Sequence, residues 1–389
     1  MDLGRYIKKK PSDFIVEEVL PFKPLNKGSY KLFRLKKSNL STIQVIRFLS
    51  KLLGIEPSQI GFAGLKDKFA VTTQFITIPQ DIPVPDRVCY QIYGGKWIKK
   101  EKIDLQKEYG FCAELIGFTE KPLELGENRG NRFLIKIHDL TKERRKRFYS
   151  NLQIVKNYGS ANYFGEQRFG SVKGRNDFIF LYLLKGETKK ALKHYFSIKG
   201  SVKNWGKWEK LYRDFRGKLE QYERDLILGL KRGLSPEKAI RILPKNIRLM
   251  FNFAFQSYLW NECLRRYIEK KYPFKRINFI NRWKLSFYTE VYDLEYLKNL
   301  KIPYTGREYS PEDELLVDII EKTLKESGIK ETDFGKEVAG VRVLTDGLRN
   351  AVFFPEDFKV VEKTKSSITV SFFLPTGSYA TVLLRNLIF

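Results

Sequence analysis

The chain contains few residues that could hold a metal ion or a disulfide framework. His138 and His194 are its only histidines, so metal sites and histidine-based catalytic triads are not expected. Its three cysteines, Cys89, Cys112 and Cys263, are far apart, odd in number and not in ligand spacing. This usage is typical of a reducing compartment, and it predicts neither a disulfide framework nor a zinc site.

Long apolar runs are also missing. No run approaches the roughly 18 residues of a membrane-spanning helix. The opening sequence, MDLGRYIKKKPSDF, contains no signal-peptide core. We therefore expect a cytoplasmic protein that does not bind a membrane.

Acidic residues are scarce relative to basic ones. The chain has 72 Lys and Arg against 45 Asp and Glu, a formal net charge of +27 and a pI near 9.7. A chain this basic usually binds a polyanion, because cations that neutralise phosphates release counterions. The alternative is a generally cationic surface without a specific partner. With 389 residues, 42% of them hydrophobic, the chain should form two domains with ample cores.

The most informative stretch is Gly61–Gln74, which reads GFAGLKDKFAVTTQ. An acid, Asp67, directly follows a base, Lys66, among small residues that allow tight turns. The segment Phe69–Ile78 alternates and is rich in β-branched residues, which predicts a strand. Asp67 is therefore expected on a loop at the mouth of a strand, where catalytic groups are often found. A solvated turn is the alternative for an isolated Lys-Asp pair.

Periodicity predicts β-rich ends and an α-rich middle. Strands are predicted at Phe14–Val19, Tyr30–Leu35, Arg87–Tyr93, Arg132–His138, Ile277–Thr289, Val352–Pro355, Phe358–Glu362 and Ser367–Leu374. A helix is predicted after the N-cap Ser41, and Gly54 ends it. This order suggests an α+β fold with a domain inserted into it, rather than two domains in series.

Two segments combine basic or polar side chains with aromatic rings. Ala161–Gly170, which reads ANYFGEQRFG, offers groups that read base edges and rings that stack. Residues 189–218 interleave ten Lys or Arg with six aromatics, as expected of a nucleic-acid groove. A helix that covers its own domain's core would look similar, so both interpretations stay open.

Five segments carry a family resemblance, in the chain order Ile7–Glu17 (IKKKPSDFIVE), Gly64–Gln74 (GLKDKFAVTTQ), Asn162–Gly170 (NYFGEQRFG), Phe255–Asn261 (FQSYLWN) and Leu374–Thr381 (LPTGSYAT). They resemble motifs of the TruD family of tRNA pseudouridine synthases. The second matches that family's pattern G-x-K-D-x-x-A-x-T-x-Q. These segments span nearly the whole chain.

The resemblance implies both a fold and an activity. The fold would be a pseudouridine-synthase catalytic domain with a curved, mixed, mainly antiparallel sheet and flanking helices, residues 1–185 and 345–389. An α/β TRUD domain, residues 186–344, would be inserted into it to give a V shape with a basic cleft for tRNA. The activity would be cofactor-free isomerisation of uridine to pseudouridine, at position 13 in the D arm of tRNA. No obligate protein partner is implied.

By motif position, Asp67 resembles the family's catalytic aspartate and Lys8 the lysine beside it. Substrate contact or lining of the site is implied for Phe14, Asn162, Phe164 and Tyr379. Supporting roles are implied for Lys66, Gln74, Gln167 and Arg168. The chain departs from the family where some members have Phe in place of Tyr379, and where the family often has Glu in place of Asn386.

The residue chemistry fits this activity independently. Isomerisation must break the N1–C1′ bond, turn the freed uracil and rejoin it through C5. One carboxylate suffices, either by attacking the sugar or by taking a proton beside the developing cation. A cation such as Lys8 would keep that carboxylate ionised, and aromatic rings would hold the flipped-out uridine.

Two functions of other classes compete with this interpretation. A non-catalytic tRNA-binding protein or RNA chaperone would have the same charge and aromatic content, but has no need of the Lys66-Asp67 signature. Glycoside hydrolysis would require two carboxylates facing one bond, and Asp67 has no evident acidic partner.

Overall fold

The computed structural model describes residues 3–172, 177–304 and 313–389 of the chain. Its strands, in chain order, are β1 (Phe14–Val19), β2 (Tyr30–Ser38), β3 (Gly61–Phe62), β4 (Val71–Pro79), β5 (Arg87–Tyr93), β6 (Lys96–Lys100), β7 (Gly110–Thr119), β8 (Gly130–Ile137), β9 (Ser160–Ala161), β10 (Phe274–Asn278), β11 (Lys284–Tyr288), β12 (Lys301–Pro303), β13 (Glu337–Val338), β14 (Val341–Arg342), β15 (Leu348–Asn350), β16 (Val352–Phe353), β17 (Glu356–Lys363) and β18 (Ile368–Pro375).

The α-helices, in chain order, are α1 (Gly4–Ile7), α2 (Thr42–Leu53), α3 (Lys142–Tyr158), α4 (Ile179–Leu184), α5 (Thr188–Ser197), α6 (Trp208–Asp214), α7 (Gln221–Lys231), α8 (Pro236–Ala239), α9 (Lys245–Lys271), α10 (Leu294–Asn299), α11 (Glu314–Glu326) and α12 (Ala380–Ile388). Short 3₁₀ turns punctuate the chain, among them Pro11–Asp13 and Ile280–Arg282.

The chain divides into two compact units. The first consists of Met1–Lys156, Phe353–Ala380 and Leu387–Phe389, and the second of Asn157–Val352 and Thr381–Asn386. The boundaries given above for an inserted domain, residues 186–344, stay a prediction about which part folds independently.

The first unit is built on one large sheet. Its described strands follow the order β17-β18-β8-β1-β4-β2-β7-β5-β6, and β3 pairs with the far part of β4. The pair β1–β4 is parallel, whereas the neighbouring pairs are antiparallel. The predicted mixed, mainly antiparallel sheet is therefore confirmed.

Helix α2 covers one face of this sheet and begins and ends where the sequence predicts. The Ser41 hydroxyl accepts a hydrogen bond from the Gln44 backbone N–H, and Gly54 ends the helix with a φ of 68°. Val45, Ile46 and Leu49 pack against buried strand residues, which together form the core. Burial of this apolar face stabilises the helix more than its own propensity does.

The cysteine prediction is wrong, because Cys89 and Cys112 form a disulfide. Strands β5 and β7 are antiparallel neighbours, and their register places Cys89 directly opposite Cys112. The two Cα atoms lie 4.1 Å apart, although 23 residues separate them along the chain. Cys263 is a buried free thiol on α9, and burial raises its pKa to about 12.

The prediction of a single strand over Ile277–Thr289 is also wrong, because this segment contains the end of one strand, a turn and a second strand. Strands β10 and β11 pair antiparallel around the turn Ile280–Arg282. Asn281 and Arg282 have φ values of 52° and 64° there, a conformation that non-glycine residues seldom adopt. These two residues reverse the direction of the chain. The alternation of apolar residues in the sequence does not predict this turn.

The second unit is organised around α9, whose central side chains are buried. Residues 189–218 lie on α5, on α6, in the loop between these helices and in the turn that follows α6. Phe196, Leu211 and Phe215 of this segment are buried, and Trp205 stacks edge-on against Trp208. The apolar side chains of the segment thus cover a core, whereas Lys203 and Lys207 are exposed.

Within the described ranges, no helix has the length and apolar character needed to cross a bilayer. Over the same residues, no cluster of three or more His, Cys, Asp or Glu is placed to hold a metal ion.

Candidate active site

The first unit brings Lys8 and Asp67 together through the parallel pairing of β1 with β4. Ile15 pairs with Val71 in parallel register, so the N-terminal ends of the two strands lie side by side at the same end of the sheet. Lys8 lies shortly before β1, and Asp67 lies shortly before β4. Antiparallel strands would have placed these two segments at opposite edges.

The Lys8 ammonium lies between a carboxylate and an aromatic ring. Its Nζ is 3.5 Å from Asp67 Oδ2 and 4.3 Å from the centroid of the Phe14 ring. The Asp67 side chain is 23% exposed, so a ligand can reach it. Phe14 is only 1% exposed and packs edge-on against Phe133, which suits a ring that supports Lys8.

Lys66 points away from Asp67 into a buried ion pair. Its Nζ contacts Glu18 Oε1, and both side chains are almost completely buried. The Asn128 side-chain amide donates to Glu18 Oε1 over 3.1 Å, and the Phe75 backbone N–H donates to Glu18 Oε2 over 2.9 Å. A buried ion pair needs such additional hydrogen bonds to offset its desolvation. Lys66 therefore anchors the Asp67 loop to β1.

The hydrogen bonds around Glu18 extend through Asn128 to the turn that precedes Tyr379. The Thr376 hydroxyl donates to Asn128 Oδ1 over 2.8 Å, and Asn128 in turn bonds Glu18. Gly377 has a φ of 88°, so the turn requires a residue without a Cβ. Tyr379 follows this turn and is half-buried.

Gln74 supports the backbone of the Asp67 loop from the sheet. Its side chain is completely buried and accepts a hydrogen bond from the Thr42 hydroxyl over 2.8 Å. That hydroxyl accepts from the Lys66 backbone N–H over 3.0 Å. Gln74 Nε2 also donates to the Gly64 carbonyl over 3.3 Å. The amide thus ties both ends of the turn to β4.

Lys37 is a support of this loop that the sequence analysis missed. The side chain lies on β2 and is completely buried. Its Nζ donates to the carbonyl oxygens of Leu40 at 2.7 Å, Asp67 at 3.0 Å and Lys66 at 3.4 Å. All three ammonium hydrogens therefore have backbone acceptors, two of which belong to the segment Gly64–Gln74.

Burial lowers the pKa of Lys37 from 10.5 to about 7. The negative charge of Asp67 opposes this shift, and the positive charge of Lys66 adds to it. The buried ammonium also directs positive potential at the segment that carries the Asp67 carboxylate.

In the second unit, Asn162 is held by a buried arginine, which is the second residue that the sequence analysis missed. Arg349 Nη2 donates to Asn162 Oδ1 over 2.7 Å, and Arg349 Nε donates to the Asn162 carbonyl over 2.8 Å. The Asn162 amide donates to the Asn350 carbonyl over 3.0 Å. Asn162 is 6% exposed and Arg349 is 8% exposed. The side chain of Asn162 is thus fixed before any substrate binds.

Phe164 is fixed by the same arginine and by α9. The Arg349 guanidinium carbon lies 4.1 Å from the ring centroid, and that of Arg168 lies 5.6 Å away. The backbone N–H of Phe164 donates to Asn261 Oδ1 over 2.8 Å, and Asn261 Nδ2 donates to the Phe164 carbonyl over 3.1 Å. Gln167, in the same 3₁₀ turn as Arg168, is exposed.

The predicted site residues thus form two groups. The first unit holds Lys8, Phe14, Lys66, Asp67, Gln74 and Tyr379, and the second holds Asn162, Phe164, Gln167 and Arg168. Direct contacts join Lys8 to Asp67 and to Phe14 in the first unit, and Arg168 to Phe164 in the second. Each group also contains a buried basic side chain: Lys37 donates to backbone carbonyls of Lys66 and Asp67, and Arg349 donates to Asn162 and packs against the Phe164 ring.

Comparison with protein families gives a match over most of the chain. A family model described as tRNA pseudouridine synthase D (TruD) matches residues 2–279 and 296–387. The tRNA pseudouridine synthase D of Aquifex aeolicus is 38% identical over 395 residues, covering 98% of this chain and 97% of that protein. The probable tRNA pseudouridine synthase D 2 of Methanocaldococcus jannaschii is 30% identical over 411 residues, covering 98% and 90%.

A solved structure has the same fold. The crystal structure of a Methanosarcina mazei protein assigned to tRNA pseudouridine synthase D (TruD) superposes with a TM-score of 0.66 at 24% sequence identity. The match covers 100% of this chain and 94% of that one. This likeness confirms the predicted α+β fold class.

Proposed function

The chain belongs to the TruD family of tRNA pseudouridine synthases and is an isomerase that acts on tRNA; we propose that it isomerises uridine 13 of the D arm, with Asp67 as the catalytic carboxylate. The observation that carries this proposal is the contact of the Lys8 ammonium with Asp67, 3.5 Å from Nζ to Oδ2, in a loop that matches the family pattern. Cytoplasmic tRNA would be the substrate, and no cofactor or protein partner is invoked.

Asp67 acts at the sugar in this proposal. As the N1–C1′ bond breaks, positive charge develops at C1′, and the carboxylate either attacks that carbon or takes a proton beside it. The freed uracil turns and C5 bonds to C1′, which displaces the carboxylate from C1′ or is accompanied by return of the proton that the carboxylate took. The C5 proton then passes to a base and N1 takes up one proton, so the composition of the nucleotide is unchanged. The reaction therefore needs one positioned carboxylate and a site that retains the uracil.

The other residues hold the reactants. The Lys8 ammonium positions the Asp67 carboxylate by pairing with it, and the buried Phe14 ring packs against Lys8. Tyr379, half-buried after its turn, offers a ring for the flipped-out uridine. Asn162, fixed by Arg349, is the residue that would hold a ribose or base edge of the substrate. Fixed side chains contribute to catalysis because they lose little freedom when substrate binds.

Mapping of pseudouridine in treated tRNA tests this proposal. Carbodiimide-blocked primer extension is performed on tRNA after incubation with wild-type protein, Asp67→Asn or Asp81→Asn, an exposed aspartate of the same unit that serves as the control. We expect a stop at uridine 13 with wild type and Asp81→Asn, and none with Asp67→Asn, while all three bind tRNA. A stop that persists with Asp67→Asn would exclude the catalytic role, and a stop at another uridine would exclude position 13.

The Lys8 contact has its own test in single-turnover kinetics. Loss of one preorganised charge in an active site typically slows the chemical step, so Lys8→Met should lower the rate on the order of a hundredfold. The neighbouring Lys9 is half-exposed and pairs with Asp139, so Lys9→Met is a matched control and should retain the rate. Equal rates for the two variants would show that Lys8 has no part in the reaction.

A further inference from the structure

The segment Gly126–Arg129 contacts the loop of Asp67 on one side and the turn that follows β18 on the other. Its first residue donates a backbone hydrogen bond to the Ala63 carbonyl over 2.8 Å, directly before that loop. The carbonyl of its last residue accepts one from the Thr376 backbone N–H over 3.1 Å. The segment leads into β8, which lies between β1 and β18 in the sheet. We call Gly126–Arg129 the bridge segment.

Thr376 extends the attachment of β18 to β8 into the turn before Tyr379. Strand pairing reaches Pro375, opposite Gly130. A Cβ on Gly130 would lie 2.2 Å from the Leu374 carbonyl oxygen, so the two chains approach very closely there. The Thr376 N–H and hydroxyl then both bond to the bridge segment. The start of the turn is therefore fixed to residues outside β18.

Asn128 is the side chain of the bridge segment that bonds to both neighbours. Its amide nitrogen donates to Glu18 Oε1 over 3.1 Å, and its Oδ1 accepts from the Thr376 hydroxyl over 2.8 Å. That hydroxyl also contacts the Asn128 carbonyl. The neighbours fix which way the amide points, because a carboxylate only accepts hydrogen bonds whereas a hydroxyl can donate one. Asn128 is 9% exposed, so its amide is largely shielded from competing water.

Glu18 completes the connection from Asn128 to the loop of Asp67. Its Oε1 contacts both the Asn128 amide and the Lys66 ammonium, and its side chain is completely buried. Lys66 directly precedes Asp67 in the chain. An unbroken series of side-chain contacts thus runs from Lys66 through Glu18 and Asn128 to Thr376.

Two side chains with different roles in the proposed function therefore depend on one set of contacts. In that function Asp67 acts at the sugar and Tyr379 holds the base, so both must reach the same nucleotide at once. A small misplacement of such a group slows a reaction strongly. We propose that Asn128 is a positioning residue of the isomerisation, which holds the loop of Asp67 and the turn before Tyr379 in one fixed arrangement. The proposal rests on the roles that the proposed function gives to these two residues.

Substitutions of similar size remove the connection from either side. Thr376→Val removes only the hydroxyl, and because Thr376 is exposed this variant should keep the fold. Asn128→Leu removes the amide, and Thr376→Ser keeps the hydroxyl. Thr369→Val is the matched control, because it removes a half-buried hydroxyl of β18 that contacts the exposed Glu362.

Single-turnover isomerisation at saturating protein and affinity for tRNA are measured for each variant. Thr376→Val should slow isomerisation on the order of fivefold and Asn128→Leu on the order of tenfold, while affinity stays as in wild type. Thr376→Ser and Thr369→Val should keep the wild-type rate. A wild-type rate for Thr376→Val, or equal slowing by Thr376→Ser, would show that the proposal is wrong. Weaker tRNA binding that accounts for all of the slowing would also contradict it.

A double-variant cycle tests whether the connection acts through Tyr379. In Tyr379→Ala the ring is absent, so Thr376→Val should slow the reaction clearly less in this background than in wild type. Equal slowing in the two backgrounds would show that Thr376 does not position Tyr379, against the proposal.

Hydrogen exchange tests the connection without turnover. Asn128→Leu should raise amide exchange in peptides that cover Gly64–Gln74 and in those that cover Leu374–Thr381, and Thr369→Val in neither. Thr376→Val gives the same comparison if Asn128→Leu does not fold. An increase confined to one segment, or none in either, would show that Asn128 does not join them. These exchange rates do not depend on isomerisation, so a failure of the proposed function would leave them unchanged.

Discussion

Adjacent residues of the Asp67 loop have opposite environments, and this contrast explains how the loop works. The Lys66 side chain is 6% exposed and pairs with Glu18, whereas the Asp67 side chain is 23% exposed and faces Lys8. Removal of one partner from a buried ion pair is strongly destabilising, so Lys66 and Glu18 resist displacement. Lys66 thus holds the loop in place, while the adjacent Asp67 carboxylate stays partly exposed beside Lys8.

The pKa of Lys37 leads to a prediction about stability and pH. Because that pKa is about 7 in the folded chain and 10.5 for an unburied lysine, the unfolded chain binds more protons between these values. The free energy of unfolding of wild type should therefore rise with pH between about 7 and 10, relative to Lys37→Met, by at most about 1.4 kcal/mol per pH unit. Denaturant titrations across this range measure the difference.

The neighbouring lysine provides the control for that experiment. Lys36 is exposed on the same strand, so Lys36→Met should leave the pH dependence of the free energy of unfolding as in wild type. If the free energy of unfolding of wild type and of Lys37→Met changes with pH in the same way, Lys37 does not titrate between about pH 7 and 10.

Among individual residues, the sequence predicted those of the motifs but not Lys37 and Arg349, the buried basic residues that hold them in place. Lys37 lies two residues after Leu35 and four after Phe33, so strand alternation places it on the core face. That signal was available, although a lysine there is also read as the solvated end of a strand. Arg349 offers no such signal, because β15 spans only Leu348–Asn350 and its contacts with Asn162 lie 187 residues apart.

Strands and helices of the first unit were predictable because each satisfies a local pattern. Phe14–Val19 and Arg87–Tyr93 have the predicted bounds, and α2 has the predicted caps. Strand register is different, since it depends on neighbours that are distant in sequence. The Cys89–Cys112 pair and the parallel pairing of β1 with β4 both depend on register, so the sequence did not reveal them.

The disulfide predicts a measurable contribution to stability. It joins β5 to β7 and closes a loop over a sequence separation of 23 residues. A cross-link of this length restricts the unfolded chain, so reduction should lower the free energy of unfolding by about 3 kcal/mol. Denaturant titrations of wild type with and without dithiothreitol measure this difference.

A double variant separates the disulfide from other effects of the reductant. Cys89→Ser with Cys112→Ser should unfold at the same denaturant concentration with and without dithiothreitol, because Cys263 is a free thiol. If wild type behaves in the same way, the cross-link contributes nothing to stability.

At the scale of the whole molecule, charge is the dominant property. The excess of 72 basic over 45 acidic side chains suits a tRNA substrate, because phosphate contacts supply much of the affinity for nucleic acids. Charge alone does not identify which basic side chains contact phosphate. Residues 189–218 illustrate this, because their aromatic side chains partly cover a core while Lys203 and Lys207 are exposed.

Charge reversal in that segment distinguishes an RNA-binding surface from a general cationic one. Lys203 and Lys207 are both exposed, so Lys203→Glu with Lys207→Glu should leave the fold intact. If both lysines contact phosphate, tRNA affinity should fall, and the slope of its logarithm against the logarithm of salt concentration should decrease by about two. Lys322→Glu with Lys325→Glu, at exposed positions on α11, makes the same change in net charge and should alter the slope less. Equal salt slopes for the two double variants would show that long-range attraction by net charge, rather than contact with residues 189–218, draws tRNA to the protein.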